Sequence, residues 1–551
     1  MYLDTSTVRQ NGKIYTRYLL RHSYRQAGKV KHRTIANLSH CSPQEIEALR
    51  LALRHKENLS EVTSLKESLS LRQGMSVGAV WLVYEVARQL GIVTALGSSR
   101  QGKLALWQVI ARVIEQGSRL SAVRLAVSHA ACDILDLGKF DEEDLYENLD
   151  WLYQNQIPVE NHLYKKLHRG HRAELFLYDV TSSYLEGEKN ELAAFGYNRD
   201  GKRGKRQIVV GLLCDEQGRP LSIEVFRGNT PDAQTLAPQI QKVADRFGGG
   251  EVALVGDRGM IKSPQIEDLH NHHFHYITAV TKAQIQSLLH QGVLQWEWFK
   301  PELAEVQTAQ GLRYVLRCNP LRAQEIQQAR QAKYRSLSQA VAKQNRYLQD
   351  HPRAKTEVAL RKIEELRERL KISEWVGVSS QDRQIALWQN SQALAEVSKL
   401  DGCYVLQTDL PEPKAPKELV HERYKDLALV EWAFRCSKTV QLELRPLYVR
   451  LADHTRGHAL VIMLAYHIIK ELADRWQSLN VTVEEGINEL ATLCTTEVGV
   501  KGMASYHQIP QPRQSVQQLL KAASVRLPTI LPSKGVVVAT KKKLPERRKN
   551  L

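Results

Sequence analysis

Between residues 76 and 168 the apolar positions recur at three- and four-residue intervals. "SVGAVWLVYEVARQLGI", "KLALWQVIARVIEQG" and "RLSAVRLAVSHAACDIL" all carry that spacing, which predicts helices. Gly91, Gly97 and Gly117 are natural stops. From Glu174 the period shortens. "ELFLYDVTS" predicts a strand, and "RQIVVGLLCD" (206–215) a second. "PLSIEVFRG", with Leu221, Ile223 and Val225 alternating, predicts a third. "NTPDAQTLAPQIQKVADRF" predicts a helix with Thr230 as N-cap and Pro231 at the first position. "EVALVGDRGM" (251–260) predicts a fourth strand, "SPQIEDLHNH" a short helix and "HYITAV" (275–280) a fifth strand. The order β-β-β-α-β-α-β predicts an α/β fold with a ribonuclease-H-like core, an antiparallel meander followed by parallel crossovers.

The pattern divides the rest of the chain. Residues 1–70 form a basic mixed module, with short strands paired near Gly28, and 71–170 a helical region that is a candidate DNA-binding domain. Residues 171–282 are the first part of the core. Residues 283–400 read as an insertion: short strands around "LQWEWFKPELAEVQTAQGLRYVLRCN", then charged helices broken at Pro352. Residues 401–478 return to the core, with a strand at 401–410 and helices near 418–436 and 455–476. Residues 479–551 end in the basic tail "KKKLPERRKNL".

Composition narrows the class. The 551 residues are 43% apolar and 25% charged, as in an ordinary multidomain soluble protein. Lys and Arg number 77 against 60 Asp and Glu, an excess of +17 that points to a polyanionic partner, with nucleic acid ahead of an anionic membrane surface. Seven scattered cysteines with no C-x-x-C pair exclude a disulfide framework and a zinc ribbon and fit a reducing cytosol. The start has no signal-peptide pattern, and the longest apolar run, "ALVIMLAYHII", is too short to span a bilayer. A cytoplasmic, nucleoid-associated protein without a membrane role is expected.

Asp179 and Asp257 then stand out. Each follows an apolar strand and precedes small or polar residues. In the expected fold the first and fourth strands are central neighbours, so the two carboxylates lie side by side. Close carboxylates repel and raise each other's pKa, and a shared hard cation relieves the repulsion. Two-metal phosphoryl transfer calls for a further carboxylate, and Glu431 in "ERYKDLALVEWAFRCSK" is the best placed. Tyr424, Glu431 and Lys438 are seven residues apart, so on one continuous helix they share a face, drifting about 20° per step.

These residues resemble the DDE transposases of bacterial insertion sequences, in the group called insertion sequence family four and its close relatives. The hallmark of that group, Y-x-x-R-x-x-x-E-x-x-x-x-x-x-K, is met by Tyr424, Glu431 and Lys438, with Leu427 in place of the Arg, a departure that suggests a sister branch. "YDVTSSY" resembles the first acid motif and "VGDRGM" the second. The resemblance implies Asp179, Asp257 and Glu431 as catalytic and metal-holding acids for two Mg²⁺ ions, with Mn²⁺ able to substitute. It implies binding to double-stranded DNA at terminal inverted repeats, cleavage there, and joining of 3′ ends to target DNA, with at least a dimer in the DNA complex. Tyr424 and Lys438 are expected phosphate contacts. A metal-dependent nuclease of the same fold and a catalytically inactive transposase-derived DNA-binding protein are the alternatives.

Other features are weighed beside these. "NRDGKRGKRQ" places Lys202, Arg203, Lys205 and Arg206 on the hairpin between the first two core strands, where they and Arg258 are candidate DNA-backbone contacts. Trp296 and Trp298 alternate as on a strand, which suits core packing better than base stacking. His454 and His458 lack further ligands and fit packing roles. Ser182 and Ser183 lack the arginines of a serine recombinase.

Overall fold

The computed structural model describes residues 1–10, 13–57, 69–202, 204–438, 442, 444, 447–500, 506–531 and 535–540. Arg203 and the basic tail from 541 lie outside the described residues. The chain opens with an antiparallel sheet of β1 (Tyr2–Gln10), β2 (Lys13–Gln26) and β3 (Lys29–Asn37). Ala27 and Gly28, both at positive φ, make the turn between β2 and β3. The helix Pro43–Arg54, started by a Ser42–Glu45 capping box, lies over one end of this sheet, where the Arg50 guanidinium donates to the Thr5 hydroxyl at 3.1 Å. β4 (Leu69–Ser76) follows.

Helices Gly78–Leu90, Arg100–Ile114, Arg119–Ser128, Glu142–Gln154 and Gln156–His168 come next. They do not close a core of their own. Val80, Trp107, Ile110 and Leu149 share one continuous core with Leu177, Leu212 and Ile223 of the sheet. The helix Ala452–Trp476, which carries the longest apolar run, is the pillar between them: it is buried almost throughout and packs on Glu142–Gln154, on Arg100–Ile114 and on the last strand of the meander. Gly457 permits that crossing, because a Cβ there would collide with the Leu149 carbonyl.

The core strands are β5 (Ala173–Tyr184), β6 (Gln207–Asp215), β7 (Pro220–Arg227), β8 (Gly248–Gly256) and β9 (His275–Ala279), with helices Asp232–Lys242 before β8 and Ser263–Asn271 before β9. After them come β10 (Ala304–Gln307), β11 (Arg313–Cys318), the hairpin β12 (Val376–Gln381) and β13 (Gln384–Gln389), and β14 (Cys403–Thr408). Eight of these strands form one mixed sheet in the order β10-β11-β14-β9-β8-β5-β6-β7, in which β8 runs parallel to β5 and to β9. The first face of the sheet meets the helices already named. The second is covered by Asp232–Lys242 and Ser263–Asn271 over Phe176, Tyr178 and Leu254. Gly211 on β6 is needed for that second layer: a Cβ there would strike the Tyr178 hydroxyl, which crosses to the Thr235 carbonyl at 3.2 Å.

β10 and β11, expected inside the insertion, extend the main sheet instead. What leaves it is residues 320–400: helices Pro320–Asp350 and Thr356–Leu370 against the β12–β13 hairpin, with a separate core of Leu337, Val341, Ile363 and Trp375. Exit and return lie side by side, with Cys318 opposite Cys403 in the β11–β14 register and the Asn319 N–H donating to the Gly402 carbonyl at 2.8 Å. β15 (Cys494–Val500) and β16 (Tyr506–Gln508) complete a small sheet in the order β16-β15-β4.

Three local expectations are corrected. The Asp232–Lys242 helix has Pro231, not Thr230, at its N-cap position and no side-chain cap, while the Thr230 N–H closes the turn after β7 on the Arg227 carbonyl. The segment 418–436 is two helices, Lys417–Lys425 and Leu427–Lys438, parted at Asp426. Trp296 and Trp298 sit on a single 3₁₀ turn, with Trp298 packed inward and Trp296 exposed under the Lys399 ammonium. Among the described residues no helix is long and apolar enough to cross a membrane.

Candidate active site

Asp179 lies within β5, not at its end, because the strand continues to Tyr184. Its neighbours in register are Leu212 on β6 and, one step earlier, Gly256 opposite Tyr178 on β8. Asp257 is the first residue after β8, so the parallel pairing carries the two acids to the same level of the sheet. Here the strand order does what the sequence pattern implied: the first and fourth core strands are neighbours. The Leu427–Lys438 helix packs across β5 through Leu427, Val430 and Phe434, and presents Glu431 on its exposed side.

The three carboxylates line one open cavity of about 270 Å³ together with Val180, Thr181, Arg199, Asp232, Gly259, Met260 and Phe434. The Asp179 carboxyl is pushed up to about 7: burial raises it most, the Asp257 and Glu431 charges add to the rise, and the Val180 N–H and Arg199 oppose it. Such a lining suits a hard divalent cation: its donors are carboxylate oxygens from two strands and a helix, and a shared cation would relieve the charge that burial and crowding disfavour. In this arrangement the acids stand apart. Among the described residues, no three His, Cys, Asp or Glu side chains converge closely enough to hold one ion.

The remaining expected residues fall in several places. Tyr424, on the helix before the break, donates its hydroxyl to Asp257 Oδ1 at 3.2 Å; burial chiefly, and the Asp257 charge, raise the phenol above its ordinary range. The Arg258 backbone N–H donates to the same oxygen at 2.8 Å, while the residue itself is exposed. Lys438 does not line the cavity; it pairs with Asp200 at 2.9 Å in a buried contact, and Asp200 also accepts the Tyr184 N–H. On the hairpin, the Lys202 ammonium lies over the Tyr184 ring, Lys205 pairs with Glu186 at 2.7 Å, and Arg206 donates to the Glu188 carbonyl beside Phe195. Arg203 is outside the described residues. Tyr424, Glu431 and Lys438 therefore do not share one helix face, since the break at Asp426 separates the first from the other two.

Two cavity residues were not singled out from the sequence. Asp232 opens the helix after β7 and pairs with Arg199 at 2.6 Å. A Pro-Asp step at a helix start reads as ordinary capping chemistry, and Arg199 is one of five cations on its hairpin. Only the fold brings these two, 33 residues apart, together beside Asp257. His454 pairs with Asp150 at 3.1 Å, and the His458 Nδ1 contacts buried Arg119 at 2.9 Å, so these two histidines serve packing.

Comparison with known proteins adds family membership to this geometry. Residues 170–468 match the family described as Transposase DDE domain, and residues 3–66 match that described as IS1634 family transposase, N-terminal domain. A solved piggyBac transposase synaptic complex with hairpin DNA is similar at 9% identity and a TM-score of 0.35, over 75% of this chain and 75% of that one. That likeness is too loose to bear on function. No curated protein matches the chain.

Proposed function

This chain belongs to the DDE transposases of insertion sequences, and on that premise we propose that it binds the terminal inverted repeats of its element, cuts there and joins the freed 3′ ends to target DNA. The observation that carries the reading is the one cavity that Asp179, Asp257 and Glu431 line together from two adjacent strands and one helix. The strand order β9-β8-β5-β6-β7 with its two covered faces supports a ribonuclease-H-like core. The Y-x6-E-x6-K spacing supports a place near insertion sequence family four, on a branch with Leu427 at the Arg position.

Asp179, Asp257 and Glu431 would hold the two Mg²⁺ ions, which when bound lower the pKa of the attacking water or 3′-hydroxyl and neutralise the leaving oxygen. The protein's own part is positional. β5 and β8 fix the two Asp residues at one level, and the Leu427–Lys438 helix brings Glu431 over them. Tyr424 orients Asp257 through its hydroxyl and keeps one carboxylate oxygen satisfied.

The N-terminal sheet supports the DNA-reading role. Residues 1–40 hold eight Lys and Arg against one acid, Asp4, which is spent on Arg21 at 2.8 Å. β3 is exposed along nearly its whole length, and Lys29, Lys31 and Arg33 share a face with His22 and Tyr24 of β2. A two-stranded β-ribbon can enter the major groove, and the β2–β3 pair carries these residues at the edge of the sheet. We divide the chain into the basic module 1–70, a helical layer and sheet with one core through 478, an insertion at 320–400 rather than 283–400, and a C-terminal region from 479. The protein acts as a dimer on paired ends, in the cytoplasm at the nucleoid.

The test is a strand-transfer assay with paired end sequences, target DNA and Mg²⁺. Cleavage and joining are expected from the native protein, with loss of both, by 10³-fold or more, in Asp179→Ala, Asp257→Ala and Glu431→Ala. Cleavage without joining would favour the nuclease. Binding without either reaction would favour the inactive DNA-binding protein. Full activity in any of the three variants would remove that acid from the site.

A further inference from the structure

Arg199 is the only cation lining the cavity among the described residues, and it is held unusually firmly for a residue on a hairpin. Its backbone N–H donates to Ser182 Oγ at 2.9 Å, and Ser182 is fully buried on β5, three residues beyond Asp179. The next residue, Asp200, is bonded to the Tyr184 N–H at 3.2 Å and to the Lys438 ammonium at 2.9 Å. The guanidinium itself spends one nitrogen, Nη2, on Asp232 at 2.6 Å. Asp232 is in turn placed by the first turn of its helix, against Gly259 in the turn that follows Asp257.

A guanidinium offers five N–H donors in a rigid fork. In Arg199 the Nε and Nη1 donors have no protein acceptor among the described residues, although the side chain lines a cavity with four carboxylates around it. A cation in that position neutralises Asp232 and still has N–H donors on two sides for an incoming anion. A phosphodiester oxygen beside the acids is an anion that such charge-assisted N–H···O⁻ contacts would hold.

Resting on the transposase reading, we infer that Arg199 contacts the phosphate at the cleavage junction, that Asp232 is the positioning residue that aims it, and that Lys438 acts through Asp200 to hold the hairpin instead of touching DNA. The signature Lys would then be felt at the phosphate at second hand. Its ion pair fixes Asp200, Asp200 fixes the turn, and the turn carries Arg199.

A charge cycle between protein and DNA tests this. Duplexes carrying the terminal repeat are made with a single neutral methylphosphonate at each phosphate near the junction. Their affinities for the full-length protein are read by fluorescence anisotropy with Ca²⁺ in place of Mg²⁺, with thermal unfolding of each variant as a check on folding. Arg199→Gln is expected to weaken binding of the native duplex about tenfold or more, the size of a charge-assisted contact. That loss should vanish for one methylphosphonate position at the junction and persist at all others. Arg199→Lys, which keeps charge but not the fork, should recover part of the loss with the same position dependence, and Asp232→Asn should show a smaller loss at that position. Lys438→Met should show a smaller loss at that same position, none in the Arg199→Gln background, and add nothing to Asp200→Asn. The inference is overturned if the Arg199→Gln loss is the same at all positions or absent, or if Lys438→Met weakens binding at a different phosphate or still weakens it in the Arg199→Gln background. Wild-type protein that fails to bind the repeat at all would instead overturn the transposase reading beneath it.

Discussion

A carboxyl that holds its proton to about pH 7 makes folding depend on pH in an unusual direction. An unfolded Asp ionises near pH 4. Between about 4 and 7 the native state therefore binds the extra proton at Asp179, and stability falls as pH rises through that window, levelling off above it. In metal-free buffer with EDTA, Asp179→Asn should remove that slope and leave the variant more stable than wild type above pH 7, by a few kcal/mol at most. Urea unfolding from pH 4 to 8 reads this; parallel curves would show that Asp179 ionises in the folded protein as it does in the unfolded chain. The residue was legible because it ends an apolar run, and Asp257 through the fold order; Glu431 stood out by its seven-residue spacing from Tyr424 and Lys438, although the shared helix face that spacing implied does not form. Arg199 and Asp232 were not, because a lone Arg on a basic hairpin and a lone Asp at a helix start are locally ordinary. Their meaning lies in a contact that no local pattern carries.

Elements were legible where a single period ran unbroken. β5, β6, β7 and β9 fall within a residue or two of expectation, because their alternation or apolar runs are bounded by turns. The helix bearing Glu431 was read as continuous because its apolar spacing survives the break at Asp426, and spacing does not record a one-residue turn. β10 and β11 were misplaced for a related reason: short strands announce themselves without naming their partner, and β14, which recruits them, comes some 85 residues later. Where two elements must touch closely, a prediction follows. Gly211→Ala drives a methyl into the buried Tyr178 hydroxyl and breaks its bond to Thr235, so it should destabilise the protein by about 1–3 kcal/mol. Tyr178→Phe in the same chain should return part of the loss in urea unfolding. An additive double variant would show that the crossing is not the cause.

For the whole molecule, charge and core are arranged separately. Helices and sheet share one interior, while much of the positive excess sits on a sheet that contributes little to it. Binding through that sheet should release counterions in proportion to the phosphates it meets. Replacing Lys29, Lys31 and Arg33 together with alanine should flatten the plot of log affinity against log salt by roughly two to three units, without changing unfolding. An unchanged slope would place the DNA on another surface. The common interior also explains why the helices at 78–168 could be predicted one by one while their role could not. Periodicity identifies a buried face but not the neighbour that buries it, and here that neighbour is a helix near residue 460.

The side-by-side exit and return of residues 320–400 has a consequence for descent. A segment whose two ends already touch through the Asn319–Gly402 bond can grow, shrink or be exchanged without asking the surrounding strands to move. Selection on its length and content is thereby uncoupled from selection on the acids. Related elements are free to carry very different segments at this point while keeping the same chemistry beneath them.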